Sequence, residues 1–271
     1  MSVNKRKLSN SRGTDGHPIQ NAVERLIDAR LNHRQVAPLS ETYGDFTLLE
    51  AYAIQDALQA EFVKRGEAPV GWKLAATAPV GQAIIGVTEP GSGFLSSRIY
   101  ADGAGISAGD FTDMRVEAEV AFRMGARLAG PGVTPETALT AVEAVLPAFE
   151  LLDFIYSGKP QAADYYANNI HGYGAVLGSP LTSFERLDLA LEGVVFEHNG
   201  EIVGTHTAAE VMGNPLNALA WLANHLAARA MALNAGDVVI SGGITKLLHP
   251  KPGDSIRARY THLGSIGITV L

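Results

Sequence analysis

Arg115-Val116-Glu117-Ala118-Glu119-Val120-Ala121-Phe122 sets two carboxylates one residue apart inside an otherwise apolar run. Read as a strand, it alternates its side chains between faces. Glu117 and Glu119 then share one face, about 6.5–7 Å apart, and Val116, Ala118, Val120 and Phe122 take the other. Two like charges held side by side call for something positive between them. A hard divalent cation, which prefers oxygen ligands and repeated carboxylates, meets that need. The alternative is a half-buried strand with a solvated acidic face, and the rest of the chain bears on the choice.

Composition narrows the field. With 271 residues, 46% of them hydrophobic, the chain has material for one sizeable core, or for a small domain attached to a larger one. A net charge of -7, with no stripe of interleaved basic and aromatic residues, argues against a nucleic-acid footprint. The absence of cysteine excludes disulfides, thiolate metal sites and cysteine nucleophiles, so any metal must be held by oxygen or imidazole. No apolar run approaches the ~20 residues needed to cross a bilayer, and no apolar signal segment follows the basic N-terminus. The expectation is a soluble, cytoplasmic protein that binds neither membrane nor nucleic acid. Met1 to Pro18, polar and rich in Gly, Ser and Asn, is expected to be a mobile leader.

Residues 19–68 read as a helical N-terminal part. Ala22, Leu26, Ile27 and Ala29 recur at helical spacing, and Thr47 with Glu50 forms a capping box ahead of Leu48, Leu49, Tyr52, Leu58 and Phe62. Residues 69–271 read as a larger, β-rich part of α+β class. Its first stretch, Gly71 to Thr77, carries a single lysine, Lys73, either snorkelling to the surface or aimed into a pocket. Glu89 to Gly93 reads as a turn. Thr134-Pro135 caps a helix expected to run to Pro147, followed by Glu150 and Asp153 within an apolar segment. His171 to Gly178 reads as a glycine-punctuated strand. Asn199-Gly200 joins a hairpin through a type I′ turn, Asn214-Pro215 opens a helix, and three short strands close the chain.

There is no Walker loop, no nucleophile elbow and no His-Glu-x-x-His. The eight histidines are scattered without ligand spacing, and His171, set among glycines, is the one singled out as functional. What remains is Glu117, Glu119 and Glu150 with Lys73 as a cationic partner. Three carboxylates without sulfur or clustered imidazole select Mg²⁺ or Mn²⁺ over zinc. Such an ion can chelate a 2-oxo acid and draw electrons toward its oxygen, and a nearby lysine adds to that stabilisation.

On these residues the chain resembles the 2-keto-4-pentenoate hydratase and 4-oxalocrotonate decarboxylase branch of the fumarylacetoacetase superfamily. The landmarks run from about Thr47 to the C-terminus in the family's order: Gly71-Trp72-Lys73, Val116 to Ala121, Leu146 to Glu150, Gly213 to Ala218, Ala235-Gly236-Asp237, Ser241-Gly242-Gly243 and Leu263-Gly264-Ser265. The resemblance implies a fumarylacetoacetase-like mixed, β-rich catalytic domain. It implies a divalent metal on Glu117, Glu119 and Glu150, and Lys73, Asn168, Ser241, Gly242 and Thr245 at the substrate. It also implies homo-oligomers, with a hydratase–decarboxylase partnership. A hydratase of this kind protonates a 2-hydroxydienoate to an unsaturated 2-oxo acid and adds water; a decarboxylase lets the same site take up the electrons left by departing CO₂. Hydrolysis of a carbon-carbon bond in a β-diketo acid would need a His–carboxylate pair that the sequence does not place. Two departures stand out. Pro90-Gly91 replaces the hydratases' Pro-Asp, and Asn168-Asn169-Ile170-His171 stands where they read Asp-Asn-Ala-Ser. His171 is therefore the candidate for proton transfer, and a binding paralogue without turnover is the reading from another class.

Overall fold

The computed structural model describes residues 18–271, so the expected leader lies outside the described residues except for Pro18. That residue opens helix α1 (Pro18–Leu31), which buries Ala22, Val23, Leu26 and Ile27. After α2 (Leu39–Tyr43) comes α3 (Leu48–Lys64), started by the expected capping box: Glu50 N donates to Thr47 Oγ1 at 3.2 Å and Thr47 N to Glu50 Oε2 at 2.8 Å. These helices bury their apolar faces in a cluster shared with Phe94, Ile155, Tyr156, Tyr166 and Ile170 of the later chain.

Two sheets form the rest. The larger comprises β1 (Pro69–Ala75), β2 (Gly91–Ser96), β3 (Ile99–Ala101), β5 (Met114–Met124), β6 (Val142–Asp153), β7 (Gly172–Leu177) and β10 (Val238–Ile240), in the order β2-β1-β10-β5-β6-β7-β3. The smaller, ordered β4-β12-β11-β8-β9, contains β4 (Gly105–Ile106), β8 (Gly193–His198), β9 (Glu201–Thr207), β11 (Ser255–Tyr260) and β12 (Ser265–Val270). One face of β5 carries Val116, Ala118, Val120 and Phe122, all fully buried. They share a core with Phe149 and Val176 of the same sheet, Phe196, Ile256 and Ile268 of the other, and Leu219, Leu222 and Leu226 of the helix Pro215–Ala228. The alternation read from the sequence is thus the alternation that organises the fold, and the opposite face of β5 is left for Glu117 and Glu119. The hairpin between β8 and β9 turns through Asn199 (φ 53°) and Gly200 (φ 82°), both in the left-handed region a type I′ turn requires.

Three local expectations are corrected. The helix capped at Thr134 spans only Pro135–Thr140, and Pro147 lies inside β6, which pairs with β5 from Met114↔Asp153 to Met124↔Val142. An apolar run of this length suits helix or strand, and pairing with β5 decides it. Proline is tolerated because Val120, opposite Pro147, gives its carbonyl to Ser241 N instead. Second, the turn read at Glu89 to Gly93 runs straight into strand: a short helix, Pro79–Ile85, precedes it, and Gly91 to Gly93 begin β2, a fully buried strand antiparallel to β1. Third, His171 closes a tight turn, Asn169–His171, and the strand begins one residue later at Gly172. Phe122→Ala, which empties the space between the sheets, is expected to destabilise the protein by about 3–5 kcal/mol; an unchanged urea midpoint would contradict this placement of the core.

Candidate active site

Pairing of β5 with β6 sets Glu117 directly opposite Glu150, with Glu119 two residues along on the same face. One carboxylate oxygen from each lies within 4.8 Å of the others. Glu119 and Glu150 are fully buried and Glu117 keeps slight contact with solvent. Burial and the neighbouring Glu150 push Glu117 up to about 8, against the pull of Lys73. The same causes, with Glu117 added, hold Glu119 well above the usual carboxylate range, and burial raises Glu150. Gly242 N donates to Glu119 Oε2 at 2.7 Å. Glu119 Oε1 and Glu150 Oε2 meet no donor among the described residues. Buried carboxylate oxygens without donors, converging within a few ångströms, fit a hard cation's coordination shell.

Lys73 does not snorkel. It is fully buried on β1, its Nζ 3.0 Å from Glu150 Oε1 and donating to Ile170 O at 3.3 Å. Its register partner Ile240 pairs in turn with Ala121, so Lys73 faces the same side of the sheet as the glutamates. One cation among three carboxylates leaves the cluster short of positive charge.

The segment after β10 runs beside β5. Ile244 N donates to Ala118 O at 2.9 Å, and Thr245 Oγ1 accepts from Ala118 N at 2.9 Å. Thr245 is therefore engaged with the strand itself. Ser241 Oγ is fully buried without a partner among the described residues, and Gly242, at φ +111°, turns its N–H onto Glu119. A β-carbon at position 243 would overlap Glu117 Oε2, so glycine is required there for the carboxylate to hold its position.

The turn after the helix Ala162–Ala167 forms another wall. Asn168 is fully buried, its Oδ1 taking a 3.0 Å hydrogen bond from Arg30 Nε and its Nδ2 lying 3.4 Å from His171 Nδ1. His171 stacks on Phe154 at 4.0 Å, and its Nε2 has no partner among the described residues. Burial, with Arg30, Lys73 and Arg115 nearby, pushes the imidazole down to about 3, so it is neutral at physiological pH. The position of the absent acid at Gly91 is filled: a β-carbon there would lie 2.7 Å from the Tyr166 ring. Sequence reasoning missed Arg30 and Asn169. Arg30 does carry a signal, since it lies one turn after Leu26 on the apolar face of α1. Asn169, whose amide pairs with Phe94 N at 2.8 Å and Phe94 O at 3.0 Å, carries none.

Two outcomes are expected. Gly243→Ala should displace the Glu117 carboxylate and weaken Mg²⁺ binding about 10–100-fold by calorimetry, the range for disturbed ligand support; unchanged affinity would contradict the arrangement. His171 titrates lower in the folded chain than its ordinary value near 6.5. It thus contributes stability that is present above that pH and is lost as pH falls toward 3. His171→Gln should therefore narrow the gap between urea midpoints at pH 7 and pH 4.5, and an equal gap in both proteins would refute the burial of a neutral imidazole.

Residues 92–271 match the model of the fumarylacetoacetate (FAA) hydrolase C-terminal family. A 4-oxalocrotonate decarboxylase of Pseudomonas putida is 34% identical over 90% of this chain and 93% of its own length. A 2-hydroxyhexa-2,4-dienoate hydratase of Comamonas testosteroni is 33% identical over 94% and 98%. The solved 4-oxalocrotonate decarboxylase from Pseudomonas putida G7, complexed with magnesium and adipate, superposes with a TM-score of 0.91 at 31% identity, covering 96% of this chain and 100% of that one. The chain belongs to the fumarylacetoacetate hydrolase family, in its branch of 2-keto-4-pentenoate hydratases and 4-oxalocrotonate decarboxylases.

Proposed function

We propose that the chain is a metal-dependent hydro-lyase that adds water to a small 2-hydroxydienoate or unsaturated 2-oxo acid. The observation that carries this reading is the trio of converging carboxylates beside the fully buried Lys73. Glu117, Glu119 and Glu150 would hold Mg²⁺ or Mn²⁺, which supplies Lewis acidity toward the oxygens of a 2-oxo acid. The solved 4-oxalocrotonate decarboxylase, complexed with magnesium in one structure and with calcium in another, supports a hard divalent ion on oxygen ligands.

Lys73, held between Glu150 and Ile170 O, offers a fixed positive charge where the substrate's C2 oxygen gains electron density. Conversion of the dienoate to the 2-oxo form moves one proton from the enol oxygen to the chain end, and water then adds across the remaining double bond. His171, kept neutral, serves as a hydrogen-bonding group through Nε2, which has no partner among the described residues, rather than as an imidazolium acid. Ser241 Oγ and Gly242 line the substrate side, while Asn168 and Thr245 act by supporting the walls, since both are occupied within the protein.

Decarboxylation of an oxalocrotonate-type diacid is the second reading, favoured by Gly91 and Asn168. Loss of CO₂ followed by one protonation asks less of proton-handling carboxylates than hydration does. We further propose a cytoplasmic homo-oligomer with a hydratase–decarboxylase partner; no helix among the described residues is long and apolar enough to cross a membrane.

Purified protein with Mg²⁺ or Mn²⁺ and 2-hydroxypenta-2,4-dienoate is expected to bleach the diene absorbance with formation of the hydrated product. Glu119→Gln should lose activity by about 100-fold or more, with metal binding, while remaining folded. Full activity of that variant in the presence of chelator sinks the reading. CO₂ release from an oxalocrotonate without hydration of the dienoate would transfer it to the decarboxylase.

A further inference from the structure

The turn from Asn168 to Gly172 is held in an unfavourable shape. Asn169, Ile170 and His171 stand in succession at φ 54°, 46° and 62°, where L-residues are uncommon and a β-branched side chain is an outlier. A chain adopts such a run only where its surroundings impose it. Two groups do so here. The Asn169 amide is bound to both backbone groups of Phe94, and Arg30 reaches in from α1. Its Nε donates to Asn168 Oδ1 at 3.0 Å, its Nη2 to Asn168 O at 2.9 Å and its Nη1 to Gly172 O at 3.0 Å. The guanidinium thus grips the turn at both ends. Arg30 is buried, at 7% exposure, and its guanidinium hydrogen bonds among the described residues go to neutral oxygens. Burial works against the charge of Arg30 and the buried Asp153 carboxylate attracts it, but its direct hydrogen-bond partners are an amide and two carbonyls, and what they fasten is the backbone that meets the active-site lysine. Ile170 O is the acceptor that, with Glu150, fixes Lys73 Nζ.

We propose that Arg30 is a positioning residue for the reaction: by clamping the left-handed turn 168–172 it places the Ile170 carbonyl, and through it Lys73, against Glu150. Helix α1 of the N-terminal part thereby completes a site whose charged groups all stand on the large sheet. This rests on the proposed lyase reading for its kinetic consequence, though not for its geometric one.

Arg30→Lys, which keeps the charge but cannot make the three-pronged contact, and Arg30→Met are compared with Leu26→Ala. The last loosens the same helix one turn away, in the apolar cluster that includes Ile170, and leaves all three prongs of Arg30 in place. With 2-hydroxypenta-2,4-dienoate and Mg²⁺, both Arg30 variants are expected to lose kcat at least tenfold with KM changed less than threefold and Mg²⁺ affinity kept. Leu26→Ala should lower thermal stability while its folded fraction keeps kcat. Equal kcat losses in Leu26→Ala and Arg30→Lys at matched stability, or an unchanged kcat in Arg30→Met, overturn the proposal. If the Arg30 variants do not fold, Asn168→Leu removes the Nε prong, together with the amide's contact to His171 Nδ1, and a wild-type kcat in that variant overturns it. A crystal structure of Arg30→Lys decides the geometric half without substrate, so a silent wild-type enzyme would count against the lyase reading only. The proposal requires residues 169–171 to leave their left-handed conformation or Lys73 Nζ to part from Ile170 O, and a turn superposing on the wild type refutes it.

Discussion

Three carboxylates crowded on the central strands of a sheet repel one another, and most of the architecture around them makes that crowding tolerable. Glu117 and Glu150 face each other across β5 and β6, Glu119 follows on the same side, and burial strengthens the repulsion by removing water. Against it stand Lys73, one backbone N–H from Gly242, and room for a cation. The opposite face of the same strands supplies the restoring force. Val116, Val120, Phe122 and Phe149 lock β5 and β6 into the apolar layer between the sheets, so neither strand can slide to relieve the charges. Stability is concentrated on one face and chemical tension on the other.

Much of this was legible in the sequence because it depends on period. Glu-x-Glu in an apolar run is a two-residue repeat, and a strand is the one element in which that repeat separates charge from core. The capping box at Thr47, the type I′ turn at Asn199-Gly200 and the Asn-Pro helix start at residue 214 are likewise local signals that local structure obeyed. What failed was local signal overruled by distant pairing. Pro147 reads as a helix stop, yet it falls where the strand owes no hydrogen bond to β5. Gly91 to Gly93 read as a turn, yet those glycines belong to a buried strand onto which Tyr166 and Asn169 pack closely.

The site residues divide the same way. Glu117, Glu119, Glu150 and Lys73 come together as their placement in apolar segments suggested, because burying a charge demands a partner and the partners were other charges in such segments. Thr245 and Asn168 are drawn into the scaffold, the one capping a β5 amide and the other holding Arg30. The environment of His171 could not be read from its glycine neighbours. Its neutrality comes from burial and from Arg30, Lys73 and Arg115, which lie 141, 98 and 56 positions away in the chain, and no short window of sequence contains them.

The glycine notch under Tyr166 constrains how this branch can change. A side chain at position 91 and the aromatic ring at position 166 compete for one volume. An acid at 91 forces the end of the tyrosine ring to move, and trimming the tyrosine first leaves a hollow against Tyr52, its edge-to-face neighbour at 5.4 Å. Either order disturbs the packing of this wall before the second change can restore it. The two positions are therefore coupled in this chain: what can stand at 91 depends on where the ring at 166 lies, and a change at one alters the space open to the other.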